Sequence, residues 1–247
     1  MKLNASFIAG GVIASLAYAL AAGAAETPSV DAIVAKYVTA LGGKAALEKV
    51  TSRAVKIKIE SENFGASEGE VFTKAPNKQV SHVEMTGAGA IDEGFDGAVA
   101  WVKSPWEALR VKAGDELAKV KRDMEFYRDL KLKTLYPDLA LKGIEKVGEE
   151  EAYVLESKPS TTSKEKYWFS VTSGLVLRRD SEYEGPQGAV TASVLLKDYH
   201  TVEGLKYPGT MKMKFSAAGQ SFEFSMKFIE VKHNVPVDDA KFAKPAA

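Results

Sequence analysis

The sequence has no cysteine. That excludes disulfides, thiolate metal sites, iron–sulfur clusters and a cysteine nucleophile, and it leaves no thiol on which a lipid anchor could be built. Histidine is scarce too: His82, His200 and His233 stand far apart, none with a partner at metal-ligand spacing, so no metal site is expected. Neither sign of charge is in excess, with 33 basic residues against 33 acidic ones. This argues against a nucleic-acid partner, which calls for a basic surplus. Also missing are Gly-x-Ser-x-Gly, His-Glu-x-x-His, Gly-x-x-x-x-Gly-Lys-Ser/Thr and a complete Gly-x-Gly-x-x-Gly. Gly87-Ala88-Gly89 lacks the third glycine of a dinucleotide loop and reads as a hairpin turn. The carboxylate groups at Asp92-Glu93, Glu149-Glu150-Glu151 and Asp238-Asp239 read as solvated turns. No catalytic residue and no cofactor is expected; the chain reads as a non-enzyme.

At the N-terminus, Lys2 is followed by an uncharged run from Leu3 to Ala22 that ends in Ala21-Ala22-Gly23-Ala24-Ala25. A short basic start, an apolar middle and small residues at the end predict a secretory signal peptide over 1–25 and a periplasmic location. The alternative is an uncleaved membrane anchor, since about 20 apolar residues can span a bilayer. The Ala/Gly-rich composition and the lack of a basic flank favour cleavage, which leaves no stable membrane anchor.

Residues 26–247 read as one domain. Thr27-Pro28-Ser29 opens a helix over about 28–41, with a hydroxyl residue as cap and proline in the first turn; Val30, Ile33, Val34, Tyr37, Val38 and Leu41 lie on one face and Gly42-Gly43 at its end. From Arg53 the period becomes two: Val55, Ile57 and Ile59 alternate with Lys56, Lys58 and Glu60. About a dozen such runs follow, separated by turn signals, which predicts an all-β sandwich or barrel. One interruption, about 115–130, reads as an amphipathic helix with Leu117, Val120, Met124 and Tyr127 on its apolar face. Lys119, Lys121, Arg122, Asp123 and Arg128 are assigned to its solvated face. The helix is either a plug in the core or a movable lid over a cavity.

The most unusual feature lies near the C-terminus. Met211, Met213 and Phe215 share one strand face, and Phe222, Phe224, Met226 and Phe228 share the next. A β-bulge is expected at Phe228-Ile229, returning Ile229 and Val231 to that face. Methionine is flexible and polarizable and adapts to irregular ligands. Two readings stay open, a filled core and an empty apolar cavity.

Several segments together resemble the LolA-like family of outer-membrane lipoprotein-sorting proteins. They are Ala40-Leu41-Gly42-Gly43 through Leu47-Glu48-Lys49-Val50, then Lys74-Ala75-Pro76-Asn77-Lys78, and Gly94-Phe95-Asp96-Gly97 with Trp101. Further on come Ala152-Tyr153-Val154-Leu155, Lys166-Tyr167-Trp168-Phe169, Ser173-Gly174-Leu175-Val176-Leu177-Arg178, and Asp198-Tyr199 with Gly204-Leu205-Lys206-Tyr207-Pro208. The last is Asn234-Val235-Pro236-Val237-Asp238-Asp239 with Phe242. The family often has Asp where this chain has Ser170.

The resemblance implies a mainly β fold: an open, strongly curved antiparallel half-barrel of about 11–13 strands, with helices over its concave apolar side. It further implies a periplasmic carrier that shields acyl chains of lipoproteins or other lipids, with envelope proteins as donor or acceptor. An envelope sensor or interaction module of the same fold is the alternative. The residues expected to line the acyl site are Val55, Ile57, Ile59, Trp101, Leu117, Val120, Met124, Tyr167, Phe169, Met211, Met213, Phe215, Phe222, Phe224, Met226 and Phe228.

Overall fold

The computed structural model describes residues 27–62 and 65–246; the expected signal peptide lies outside them. Helix α1 (Val30–Ala40) starts where Ser29 Oγ accepts the Ala32 N–H at 3.2 Å, filling one of the donors that a helix start leaves unpaired. It stops at Gly42 and Gly43, whose φ of +123° and +88° suit glycine and strain other residues. A short helix α2 (Lys44–Glu48) leads into the strands.

The strands, in chain order, are β1 (Ser52–Ser61), β2 (Gly65–Lys74), β3 (Lys78–Met85), β4 (Gly89–Phe95), β5 (Ala100–Ser104) and β6 (Glu107–Val111). After an insertion come β7 (Ala140–Val147), β8 (Glu150–Ser160), β9 (Ser163–Ser170), β10 (Val176–Gly185), β11 (Gly188–Lys197), β12 (His200–Val202), β13 (Leu205–Tyr207), β14 (Thr210–Ala217) and β15 (Gln220–His233). Strands β12 and β13 form a separate hairpin; the other 13 form one sheet in the order β6-β5-β4-β3-β2-β1-β15-β14-β11-β10-β9-β8-β7. The sheet is antiparallel throughout and does not close, because β6 and β7 are its two edges. This is the open half-barrel.

Consecutive strands β6 and β7 thus lie at opposite ends of the sheet, and the chain between them spans the open side. It carries α3 (Gly114–Asp123), a 3₁₀ turn (Arg128–Leu130) and α4 (Leu132–Leu135). The inserted helix is shorter than its apolar spacing predicts. The Phe126 N–H donates to Pro76 O at 2.9 Å, in the turn between β2 and β3, instead of continuing the helical ladder. A tertiary hydrogen bond outcompetes a helical one, and Phe126 becomes a core residue, 7% exposed.

The packed core fills one end of the concave face. Ile33, Tyr37 and Leu41 of α1 meet Leu155, Tyr167, Phe169 and Val176 of the sheet, joined by Phe126, Leu132 and Tyr136 of the insertion. Tyr37 stands edge-on to Phe169, with ring centroids 5.3 Å apart. On the convex face the C-terminal turn buries Phe242, whose carbonyl accepts the Trp101 indole N–H at 3.3 Å.

Candidate functional site

Strand alternation divides the sheet into two chemically different surfaces. On β1, β14 and β15 the convex side carries Lys56, Lys58, Lys212, Lys214, Glu223 and Lys227, several of them paired across strands. The concave side carries Ile57, Ile59, Met211, Met213, Phe215, Phe222, Phe224, Met226 and Phe228. Cross-strand register aligns them in rows: Met211 with Met226, Met213 with Phe224, Phe215 with Phe222, and Ile57 with Phe228. The rings of Phe215 and Phe224 stack with centroids 6.0 Å apart. The rows continue onto β11, where Val194 faces Met213 and Leu196 faces Met211.

Ile57 is buried, but the Met and Phe side chains of this wall stay partly exposed and lie outside the packed core cluster. Full burial of such a side chain is worth about 1.5–3 kcal/mol. Covering what remains open across the whole wall would return several kcal/mol, on the order of what binds an apolar ligand.

The bulge falls where the sequence places it: β1 and β15 slip register between Lys56 and Ile57, which face Glu230 and Phe228. Val231 returns to the concave side opposite Val55. Ile229 does not; it is the extra residue of the bulge and is 61% exposed.

The other expected lining residues occupy different surroundings. Tyr167 and Phe169 belong to the packed core under α1. Trp101 points away from the concave face, with its ring over Gly94, where an added Cβ would meet it at 2.4 Å. Val120 of α3 and Met124 just past its end face Gln79, Phe95 and Ala100 across a cavity of about 10 Å³, roughly the room one water needs. Leu117 is partly exposed on the same helix, no residue of which is fully buried.

Ionic contacts hold α3 in place, and sequence reasoning missed them. Glu116 pairs with Arg110 of β6 at 2.6 Å, and Asp115 accepts a hydrogen bond from Thr162 in the β8–β9 turn. Asp123 is shared by Lys119, Arg128 and Arg179 of β10. Arg179 also donates to Glu165 at 3.0 Å, and Lys119 lies 3.5 Å from the same carboxylate, whose side chain is fully buried. Burial alone would raise the pKa of Asp123; the charges of Arg179, Lys119 and Arg128 outweigh it and hold the carboxyl well below its ordinary value. Burial raises the Tyr167 and Tyr136 hydroxyls next to this cluster. Lys119, Arg122, Asp123 and Arg128 therefore lie against the sheet, and of the five residues assigned to the solvated face only Lys121 is exposed. The Arg179–Asp123 partnership spans 56 residues, beyond the reach of a local pattern.

Two of the three histidines make cross-strand or hairpin contacts, and His200 is exposed. His82 contacts Asp92 at 2.6 Å on the convex face, and His233 sits between Tyr207 at 2.8 Å and Glu203 at 2.9 Å, tying the β12–β13 hairpin to the sheet. Among the described residues no group of three or more His, Asp or Glu is placed to hold a metal, and no helix is long and apolar enough to cross a membrane.

No sequence-family description matches the chain, and no curated protein does. Solved structures do match it. A DUF1329 family protein from Desulfovibrio piger superposes with a TM-score of 0.53 at 15% identity, over 88% of this chain and 98% of that one. A LolA superfamily protein from Nitrosomonas europaea gives 0.53 at 15% identity, over 88% and 99%. The architecture is a LolA-like fold.

Proposed function

We propose that the protein is a periplasmic, non-enzymatic carrier that holds acyl chains of lipoproteins or other lipids against the concave Met/Phe wall on their way toward the outer membrane. One observation carries this reading. A continuous wall of large apolar side chains, Ile59 of β1 with the Met and Phe residues of β14 and β15, is left partly exposed, although the opposite end of the same face is filled by α1 and the insertion. Core side chains normally reach native packing density, and a wall of this size left open needs an occupant. The two Met rows suit cargo of irregular shape. The LolA-like fold supports the reading at the level of architecture, and the leader-like start of the sequence supports the periplasmic location.

In this reading α3 is the cover. Its apolar contribution is limited to partly exposed Leu117, Val120 and the adjoining Met124, so its hold on the sheet is mainly ionic, and bound acyl chains must offset those contacts for it to move. The test is native mass spectrometry of protein purified from its own envelope, followed by lipid extraction. The expected result is a population carrying acylated species. Protein that arrives empty and fails to take up a fluorescent fatty acid would overturn the proposal.

A further inference from the structure

The charges gathered between α3 and the sheet are not all paired. Lys119, Arg122, Arg128 and Arg179 bring four cations to this region of the concave face, and Asp123 and Glu165 bring two carboxylates. Asp129, which accepts the Tyr37 hydroxyl at 2.9 Å, and Asp115, which accepts from Thr162, bring the carboxylates to four, so the region is neutral in total although its charges are not all paired. The unpaired cation is Arg122. Its Nη2 donates only to Ser163 Oγ at 3.3 Å, its guanidinium lies 5.9 Å from the Tyr136 ring, and its buried Nε has no hydrogen-bond partner. Among the described residues no carboxylate pairs with it. A cation without a carboxylate partner and an unpaired buried donor are both costly away from water, and an anion supplied by a ligand would relieve both.

The cluster's position ties it to the apolar wall. One register row runs Leu155, Tyr167, Arg179, Val194, Met213, Phe224 across β8, β9, β10, β11, β14 and β15. At about 4.8 Å per strand, Arg179 lies roughly 14 Å from Phe224 along that row. A cationic end joined to an apolar track matches an amphiphile with a single anionic head.

We infer that the cargo carries an anionic group, a carboxylate or a phosphate, which is bound by Arg122 together with the Arg179–Arg128 cluster while its chain lies on the Met/Phe wall. Arginine suits the task, because its planar fork binds either oxyanion in bidentate fashion. This inference rests on the carrier reading and names the substrate class within it.

The test uses the whole mature protein and two matched pairs of probes. A fluorescent fatty acid is compared with its methyl ester, and dodecyl phosphate with dodecanol as competitors. The charged member of at least one pair is expected to bind about tenfold tighter, as charge-assisted hydrogen bonds would give. Which pair shows the larger ratio tells a carboxylate head from a phosphate one. Arg122→Gln should bring the charged probe's affinity down toward that of its neutral partner. Equal binding of charged and neutral probes by the unaltered protein overturns the headgroup inference and leaves the carrier reading standing. No binding of any probe overturns both.

Discussion

Asp123 is where the attachment of α3 is most exposed to test. Its carboxylate is shared by Lys119, Arg128 and Arg179, and its side chain is 20% exposed. Replacing it with Asn keeps the shape but removes the charge that those three cations face. Breaking a buried ion pair by removing one partner costs about 3–5 kcal/mol, since the remaining charges go uncompensated. A value of about 3 kcal/mol is expected here, because Glu165 still holds Arg179 and Lys119. The apolar side of α3 cannot absorb that loss, as none of its residues is fully buried. The effect should therefore be local. Amide exchange across 114–123 should accelerate by a factor of a hundred or so, about 3 kcal/mol, while β14 and β15 keep their protection.

The pH dependence follows with a definite sign. A carboxyl whose folded pKa is depressed contributes stability above its unfolded value, near 3.9, and loses it as the pH falls toward the folded one. Between pH 5 and 8 Asp123 should therefore leave the protection of α3 unchanged, once intrinsic exchange rates are divided out. Asp123→Asn with unaltered protection of α3 would sink the idea that this cluster fastens the helix.

Other expectations are simpler. Phe224→Asp or Met213→Asp should abolish lipid co-purification while the protein still folds, because a carboxylate on a partly exposed wall keeps some water; a variant that cannot fold would instead point to a filled core. Gly94→Ala should lower stability by a few kcal/mol in urea titration, since its Cβ would meet the Trp101 ring at 2.4 Å. Intact mass of the exported protein should give a chain starting at Ala25 or Glu26; a membrane-bound species retaining 1–24 would replace the soluble carrier with an anchored one.

Much of the sheet was legible because its two faces differ so sharply in chemistry. Met/Phe against Lys/Glu on β14 and β15 fixes both strands and their inward side, and the slip at Phe228-Ile229 locates the bulge. The fate of Ile229 was not legible, since the pattern cannot tell which residue a bulge expels. The insertion departs from the single helix that its spacing predicts. Leu117, Val120, Met124 and Tyr127 keep helical spacing across a point where the backbone turns away to Pro76. Charged residues next to that apolar stripe look solvated in a sequence, because their partners Glu165 and Arg179 come from distant strands. Tyr167 and Phe169 show the same limit: an inward apolar side chain looks alike whether it meets α1 or an open groove.

The path of the chain from β6 to β7 has a mechanical consequence. The segment 112–139 joins the two edge strands β6 and β7 covalently, and the first turn of α3 bridges their margins, Glu116 to Arg110 of β6 and Asp115 to Thr162 of the β8–β9 turn. A cover tied at both ends is a strap, and it cannot swing on one hinge. To admit a bulkier guest the two margins of the sheet must spread, which means relaxing the curvature of all the strands between them. The capacity of the groove is then a property of the whole sheet's bending stiffness, and substitutions that stiffen or flatten strands far from any bound chain should change the size of guest that fits.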